Sequence, residues 1–134
     1  SPAAQQLRQV PGIGALGASA LAATLGDGSG WRSAREVACC LGLVPRHSGT
    51  GGKVRMGGIS KRGDSYLRTL LVHGARNLVR TGEPAPWIAQ MLQRRPFNVV
   101  VVAVAHKLAR IAWAMSAHAS AFRPGRFAGS VATA

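Results

Sequence analysis

The chain has 134 residues and a formal net charge of +13, because 17 lysines and arginines face only 4 acidic residues. The acidic residues Asp27, Glu36, Asp64 and Glu83 stand far apart, which argues against a nuclease site built from paired carboxylates around two metal ions. The excess of positive charge instead predicts a polyanionic partner, with nucleic acid favoured over an anionic membrane surface. An apolar content of 47% is enough for one ordinary domain with a hydrophobic core.

Cysteine spacing and hydropathy exclude two further classes. Cys39 and Cys40 are adjacent, which rarely allows a disulfide and does not fit a zinc site, so both are predicted to be reduced core residues. The longest strongly apolar run, residues 98–105, is far shorter than the ~20 residues of a membrane-spanning helix. The sequence therefore predicts a cytoplasmic protein with no membrane partner and no metal site of its own. Because the chain starts with Ser1, we expect a processed protein or part of a longer one.

The first part of the chain, residues 3–25, has the pattern of two helices joined by a tight turn. Pro11 ends the first helix, and Gly12 and Gly14 let the backbone turn sharply before an alanine-rich second helix. This is the helix-hairpin-helix pattern, in which backbone N–H groups beside a helix N-terminus can hold a phosphate oxygen without reading a base. The alternative is a turn that uses glycine only for its backbone geometry.

The second part follows a Gly/Ser break and predicts a helix over residues 33–41. Ser33 and Glu36 stand three residues apart, which is the spacing of a capping box, and Gly42 lies where a glycine ends a helix.

The third part, residues 43–63, is rich in glycine, and Val54 and Met56 alternate there with basic residues. This pattern predicts a short exposed hairpin or a loop. Glycines let the backbone approach a phosphodiester closely, and arginines supply forked donors to its oxygens. We therefore expect nucleic-acid contacts from the segment 46–80, which carries eight basic residues against one acid: Arg46, Lys53, Arg55, Lys61, Arg62, Arg68, Arg76 and Arg80.

The remaining part is helical again by its apolar spacing. It predicts helices over residues 64–80, 87–94 and 98–118, followed by a flexible or extended tail at residues 123–134. The fold class is therefore mainly α, with one domain at residues 1–122. His73, Trp87, Trp113 and Tyr66 are expected to pack in the core or in a groove. His106 and Arg110 share a helix face that could meet a polyanion.

One serine is a candidate for chemistry. Ser48 lies in a basic, glycine-rich stretch, where a hydroxyl could attack phosphorus while arginines stabilise the transition state. The residues alone allow a simpler interpretation, in which Ser48 only hydrogen-bonds its own backbone. Ser60 is a competing nucleophile, and it could equally cap the helix that follows.

The motifs occur in an order that is similar to one known family. They are Val10-Pro11-Gly12-Ile13-Gly14, Leu25-Gly26-Asp27, Leu41-Gly42-Leu43-Val44-Pro45-Arg46, Ser48-Gly49, Ile59-Ser60-Lys61-Arg62-Gly63, Tyr66-Leu67-Arg68, Val72-His73-Gly74-Ala75-Arg76 and Lys107-Leu108-Ala109-Arg110-Ile111-Ala112-Trp113. Over residues 6–118 the sequence resembles the C-terminal domain of DEDD transposases of bridge-RNA-guided insertion sequences (the IS-110/IS-1111 group), which are related to the Piv DNA invertases.

The resemblance implies DNA transposition or recombination in the bacterial cytoplasm, near the nucleoid. It implies that a serine, here Ser48, attacks DNA and forms a covalent phosphoserine. It also implies an oligomer, a guide (bridge) RNA and an N-terminal RuvC-like domain that binds Mg²⁺ through four acidic residues. That acidic domain is expected to be absent from this chain, which would then hold no cofactor and be inactive alone.

The residues expected to bind nucleic acid are Gly12, Gly14, Arg46, Lys53, Arg55, Lys61, Arg62, Arg68 and Arg76. The alternative function is a helix-hairpin-helix module that binds nucleic acid without chemistry. A basic ribosome-associated protein would explain the charge but not the motif order.

Overall fold

The computed structural model describes residues 1–43 and 61–129 of the chain. Within these ranges the backbone forms α-helices and no strand, which confirms the mainly α fold class. The predicted basic loop or hairpin lies outside the described residues. The helices are α1 (Pro2–Leu7), α2 (Ala15–Leu25), α3 (Ala34–Cys40), α4 (Lys61–Arg80), α5 (Pro86–Leu92), α6 (Phe97–His118) and α7 (Pro124–Ala128).

The long helix α6 forms the centre of the fold, and each of the other six helices packs against it directly or through α2. Val104, Leu108 and Ile111 are fully buried on it. By length and composition α6 could cross a membrane, but 67% of its most apolar stretch is buried inside the protein. Its valines have strand propensity, yet helical packing of an apolar face outweighs that preference. In this fold α6 therefore acts as a core helix.

The turn between α1 and α2 is held against α4 by a contact between two glycines. Gly12 has a φ of +88°, and Gly74 of α4 lies so close to the Gly12 carbonyl that a Cβ on Gly74 would overlap it. A Cβ on Gly12 would stand 2.8 Å from Cδ1 of Leu78. Glycine at both positions therefore allows the two backbones to touch.

Helix α3 begins at the predicted cap. The Glu36 N–H donates to Oγ of Ser33 at 3.2 Å, as the capping-box spacing predicts. The Glu36 carboxylate does not return to the Ser33 N–H. It accepts instead from the Arg32 N–H at 2.6 Å and lies 3.9 Å from Nε of Arg32.

Helix α3 also ends where the sequence predicts. Gly42 has a φ of +71°, and its N–H donates to the Cys39 carbonyl at 3.0 Å. The Leu43 N–H donates to the Ala38 carbonyl at 2.9 Å, which completes a Schellman motif. This motif fixes the direction in which the chain leaves α3.

Two details differ from the sequence predictions. Residues 124–128 form the short helix α7 instead of an extended tail, because Pro124 favours a helical start and Phe127 packs edge-on against Trp87, with ring centroids 5.6 Å apart. Cys39 and Cys40 form no disulfide, but both are only half-buried on α3 and do not belong to the innermost core that the sequence predicts for them.

Candidate nucleic-acid interface

A cleft of about 460 Å³ lies where the end of α3 meets α4 and α6. Two of the predicted nucleic-acid-binding residues, Arg68 and Arg76, line it from α4. They stand eight residues apart, so about 12 Å of helix rise separates them. The complete lining is Gly42, Leu43, Arg68, Thr69, Val72, His73, Arg76, Asn98, Val101 and Val102. The cleft therefore combines two guanidinium groups with uncharged polar groups along one edge of α4.

The Arg68 side chain lies beside the end of α3. Its Nη1 atom is 3.4 Å from the position that a Cβ on Gly42 would occupy, which is an ordinary van der Waals distance. Gly42 and Arg68 therefore border the same part of the cleft.

The ion pair between Arg32 and Glu36 involves neither arginine of the cleft. Arginine suits a cleft that binds phosphate, since its forked N–H groups match the geometry of the phosphate oxygens.

A second groove, of about 840 Å³, lies between the α1–α2 turn and α4. Gly14 is exposed there as the N-cap of α2, and no side chain caps the helix, so backbone N–H groups of its first turn face the groove. Gly12 also borders the groove but packs against Gly74. The described residues that line the groove include Glu83 and no lysine or arginine, so the positive end of the α2 dipole is the feature there that favours an anion.

The other predicted site residues can be located only in part. Ser48, Arg46, Lys53 and Arg55, together with the competing Ser60, lie outside the described residues. Lys61 and Arg62 belong to the first turn of α4. The chain leaves the described fold after Leu43, which lines the cleft, and returns at the helix that carries Arg68 and Arg76.

His73 is a site residue that the sequence analysis assigned to packing. It is exposed and borders both the cleft and the second groove. Thr69 and Arg76 lie one turn before and after it on α4 and line the same cleft. In the sequence, the spacing of Thr69, His73 and Arg76 at i, i+4 and i, i+3 was the pattern that could have placed His73 on the same helix face as the arginine. Of the other residues expected to pack, Trp87 is buried, Trp113 is half-buried and Tyr66 is half exposed.

His106 and Arg110 lie on α6, on the side that packs against α3. Burial, together with the smaller effects of the Arg110 and Arg35 charges, lowers the pKa of His106 to about 4. The His106 imidazole is therefore neutral at pH 7. Elsewhere in the described part of the chain, no three His, Cys, Asp or Glu side chains come together as metal ligands.

Comparisons with known proteins place these features in context. A sequence model described as "Transposase IS116/IS110/IS902 family" matches residues 4–91. A "Probable family 20 transposase" of Pseudomonas aeruginosa is 53% identical over 126 residues, which is 90% of this chain and 37% of the relative. The "Transposase for insertion sequence element IS1111A" of Coxiella burnetii is 39% identical over 126 residues, 90% of this chain and 35% of the relative.

A "Pilin gene-inverting protein" of Moraxella lacunata is 30% identical over 116 residues, which is 84% of this chain and 36% of the relative. No solved structure matches the chain. The chain spans little more than a third of the length of these curated relatives.

Proposed function

The chain belongs to the IS116/IS110/IS902 transposase family, and from this premise we propose that it is the part of a DNA recombinase that binds the DNA backbone. The observation that carries the proposal is the cleft between α3, α4 and α6, which Arg68 and Arg76 both line from α4. The family match confirms the resemblance that the motif order indicated.

The cleft geometry fits a sugar–phosphate strand. The rise of about 12 Å between Arg68 and Arg76 corresponds to about three or four phosphates of one duplex strand. Thr69, His73 and Asn98 add further hydrogen-bonding groups. Contacts of this kind fix the position of DNA without reading its sequence, which suits a protein domain that holds a strand for cleavage.

We assign the nucleophile of the recombinase to Ser48. In the sequence, Ser48 follows Leu43, which lines the cleft, by only five residues. In the reaction the Oγ–P bond forms and the bond from phosphorus to the leaving sugar oxygen breaks. The serine proton passes through solvent to that leaving oxygen, and the product is a phosphoserine ester with DNA.

Mg²⁺ does not fit the described residues of this chain. Asp27, Glu36 and Glu83 lie in separate parts of the structure, and Glu36 is engaged by Arg32. We assign metal binding to a RuvC-like domain of the longer protein, since the chain spans only 37% of its Pseudomonas relative. The same longer protein would assemble as an oligomer and bind a guide RNA.

A DNA-binding experiment tests the cleft. We expect the double variant Arg68→Gln/Arg76→Gln to bind a short fluorescent DNA duplex about ten- to hundredfold more weakly than the unchanged chain. The control Arg8→Gln/Arg123→Gln removes the same charge from exposed residues that do not line the cleft. Equal losses for both variants would show that net charge, and not the cleft, determines binding.

A recombination assay with the full-length protein tests the nucleophile. Ser48→Ala should abolish recombination and leave the DNA affinity nearly unchanged, while Ser60→Ala should keep recombination. If the Ser48→Ala protein supports normal recombination, the result would favour the second function, a module that binds nucleic acid without chemistry. The exposed, uncapped start of α2 at Gly14 is the observation that favours that second function, because its N–H groups can hold a phosphate.

A further inference from the structure

The cleft continues along α6 into the seam between α3 and α6. Asn98 and Val102 line the cleft, and His106 and Arg110 follow Val102 at successive turns on the same side of the helix. Helix α3 packs along this side and carries Arg35. A strip formed by the cationic Arg35 and Arg110 and the neutral His106 therefore extends the line of polar residues that begins in the cleft.

The Nε atom of Arg110 has no hydrogen-bond partner in the described structure. The residue is half-buried, and this atom is fully buried. A buried donor without an acceptor is unfavourable, since it has lost water and gained nothing in return. The packing around Arg110 therefore does not use all of its donors.

The described acidic residues do not neutralise this strip. Glu36 is the acid on α3, and it is engaged by the Arg32 backbone and side chain. The Asp27 carboxylate accepts from the Ser29 N–H, and Glu83 lines the groove on the far side of α4. In the part of the chain that the structure describes, Arg35 and Arg110 thus have no paired carboxylate.

We propose that Arg35 and Arg110 bind a backbone phosphate of the same DNA strand that occupies the cleft, so that the interface runs along the seam between α3 and α6. This inference rests on the proposed function of the cleft. About 12 Å of helix rise separates Val102 from Arg110, so the strip adds about three or four phosphates of strand length.

His106 supplies a local reporter for this contact. The charges that act on its imidazole come from Arg110 on its own helix and from Arg35 on α3, and both lower its pKa. A phosphate bound between the two arginines would offset their charge. The pKa of His106 should therefore rise when DNA binds at the strip.

The experiment measures affinity for a short DNA duplex with the 134-residue chain. We expect Arg35→Gln and Arg110→Gln each to weaken binding about three- to tenfold and to reduce the salt slope by about one, as loss of a phosphate contact does. Arg8→Gln, which removes an exposed charge from the end of α1, is the control and should have a smaller effect. Arg35 is exposed, so Arg35→Gln should fold normally even if Arg110→Gln does not.

Nuclear magnetic resonance titration of the His106 ring provides the second readout. We expect its pKa to rise on DNA binding, and to rise less in Arg35→Gln. Suppose that Arg35→Gln and Arg110→Gln bind DNA like the unchanged chain while Arg68→Gln/Arg76→Gln binds it weakly. This result would refute the proposal that the strip binds DNA and would support the proposal that the cleft does. If none of these variants loses affinity, both proposals fail. Losses seen with an RNA duplex but not with DNA would refute the assignment to DNA.

Discussion

Arginine side chains in this protein differ in what they contact, and the difference separates structural from binding roles. Arg32 is exposed and pairs with Glu36 at 3.9 Å, an arrangement that contributes little in water. Arg68 lies beside Gly42 at the end of α3 and lines the cleft. We propose that its guanidinium binds a phosphate of the DNA backbone.

Gly74 provides a test of the contact between the α1–α2 turn and α4. We expect Gly74→Ala to lower the free energy of unfolding by about 3 kcal/mol, since the new Cβ would overlap the Gly12 carbonyl. Helix propensity alone would make the alanine variant more stable by about 1 kcal/mol. A loss of stability would therefore identify the contact between the two backbones as its cause. Urea denaturation measures the change. Gly82→Ala, in open space, is the control, and a Gly74→Ala variant as stable as that control would contradict the contact.

The burial of His106 predicts a pH-dependent stability. Its folded pKa of about 4 is below its ordinary value of 6.5, so the unfolded chain binds a proton more readily between these values. Stability should therefore fall as the pH drops from 6.5 towards 4. The loss should be smaller than the roughly 3.4 kcal/mol of the full shift, because the imidazole is only partly buried, and above pH 6.5 this contribution should no longer change.

Urea denaturation at pH 4.5 and at pH 7 checks this linkage. His106→Gln should lose less stability between the two pH values than the unchanged chain. His118→Gln changes an exposed histidine at the end of the same helix and serves as the control. Identical pH profiles for the unchanged chain and His106→Gln would show that the imidazole is not desolvated.

At the scale of the elements, α3 shows how local signals set both ends of a helix. Ser33 caps the start of α3, and Gly42 caps its end. The next residue, Leu43, lines the cleft. We expect Ser33→Ala to cost about 1 kcal/mol of stability in thermal or urea unfolding, because the Glu36 N–H loses its acceptor.

Two controls accompany the cap variant. Ser33→Asp keeps an acceptor at the cap and should retain most of the stability. Ser19→Ala changes an exposed serine inside α2 and should cost nothing. A stability loss as large for Ser33→Asp as for Ser33→Ala would contradict a capping role.

The elements that could be predicted from the sequence are those with local signals. The capping spacing around Ser33 and the glycine at position 42 predicted α3, and the apolar series predicted α6 to within one residue of its start. Helix α7 was missed because it depends on the contact between Phe127 and Trp87, which are far apart in the sequence. The start of α4 was predicted three residues late, at a stretch where apolar periodicity is weak.

The same limit applies to the candidate site. Charge and glycine content indicated Arg68 and Arg76 as binding residues, but not that they share a cleft with Asn98 of α6. The motif that contains Gly74 was part of the family resemblance, yet its contact with Gly12 emerges only from the fold. Ser48 stays a prediction because it lies outside the described residues.

At the scale of the whole molecule, a net charge of +13 predicts salt-dependent binding to any polyanion. With about six phosphates contacted, the slope of log affinity against log salt should be about −5. Arg68→Gln/Arg76→Gln should make this slope less steep by about 2, whereas Arg8→Gln/Arg123→Gln should change it less. Fluorescence anisotropy over a range of salt concentrations measures the slope, and equal changes in both variants would indicate diffuse attraction.

The most direct measurement locates the DNA on the protein. A photo-crosslinking amino acid placed at Thr69, which is exposed inside the cleft, should form a covalent adduct with a DNA duplex on irradiation. The same amino acid at Gln90, exposed on α5 away from the cleft, should give little adduct. Adducts at Gln90 and none at Thr69, under conditions where the duplex is bound, would contradict the claim that the cleft between α3, α4 and α6 holds the DNA backbone.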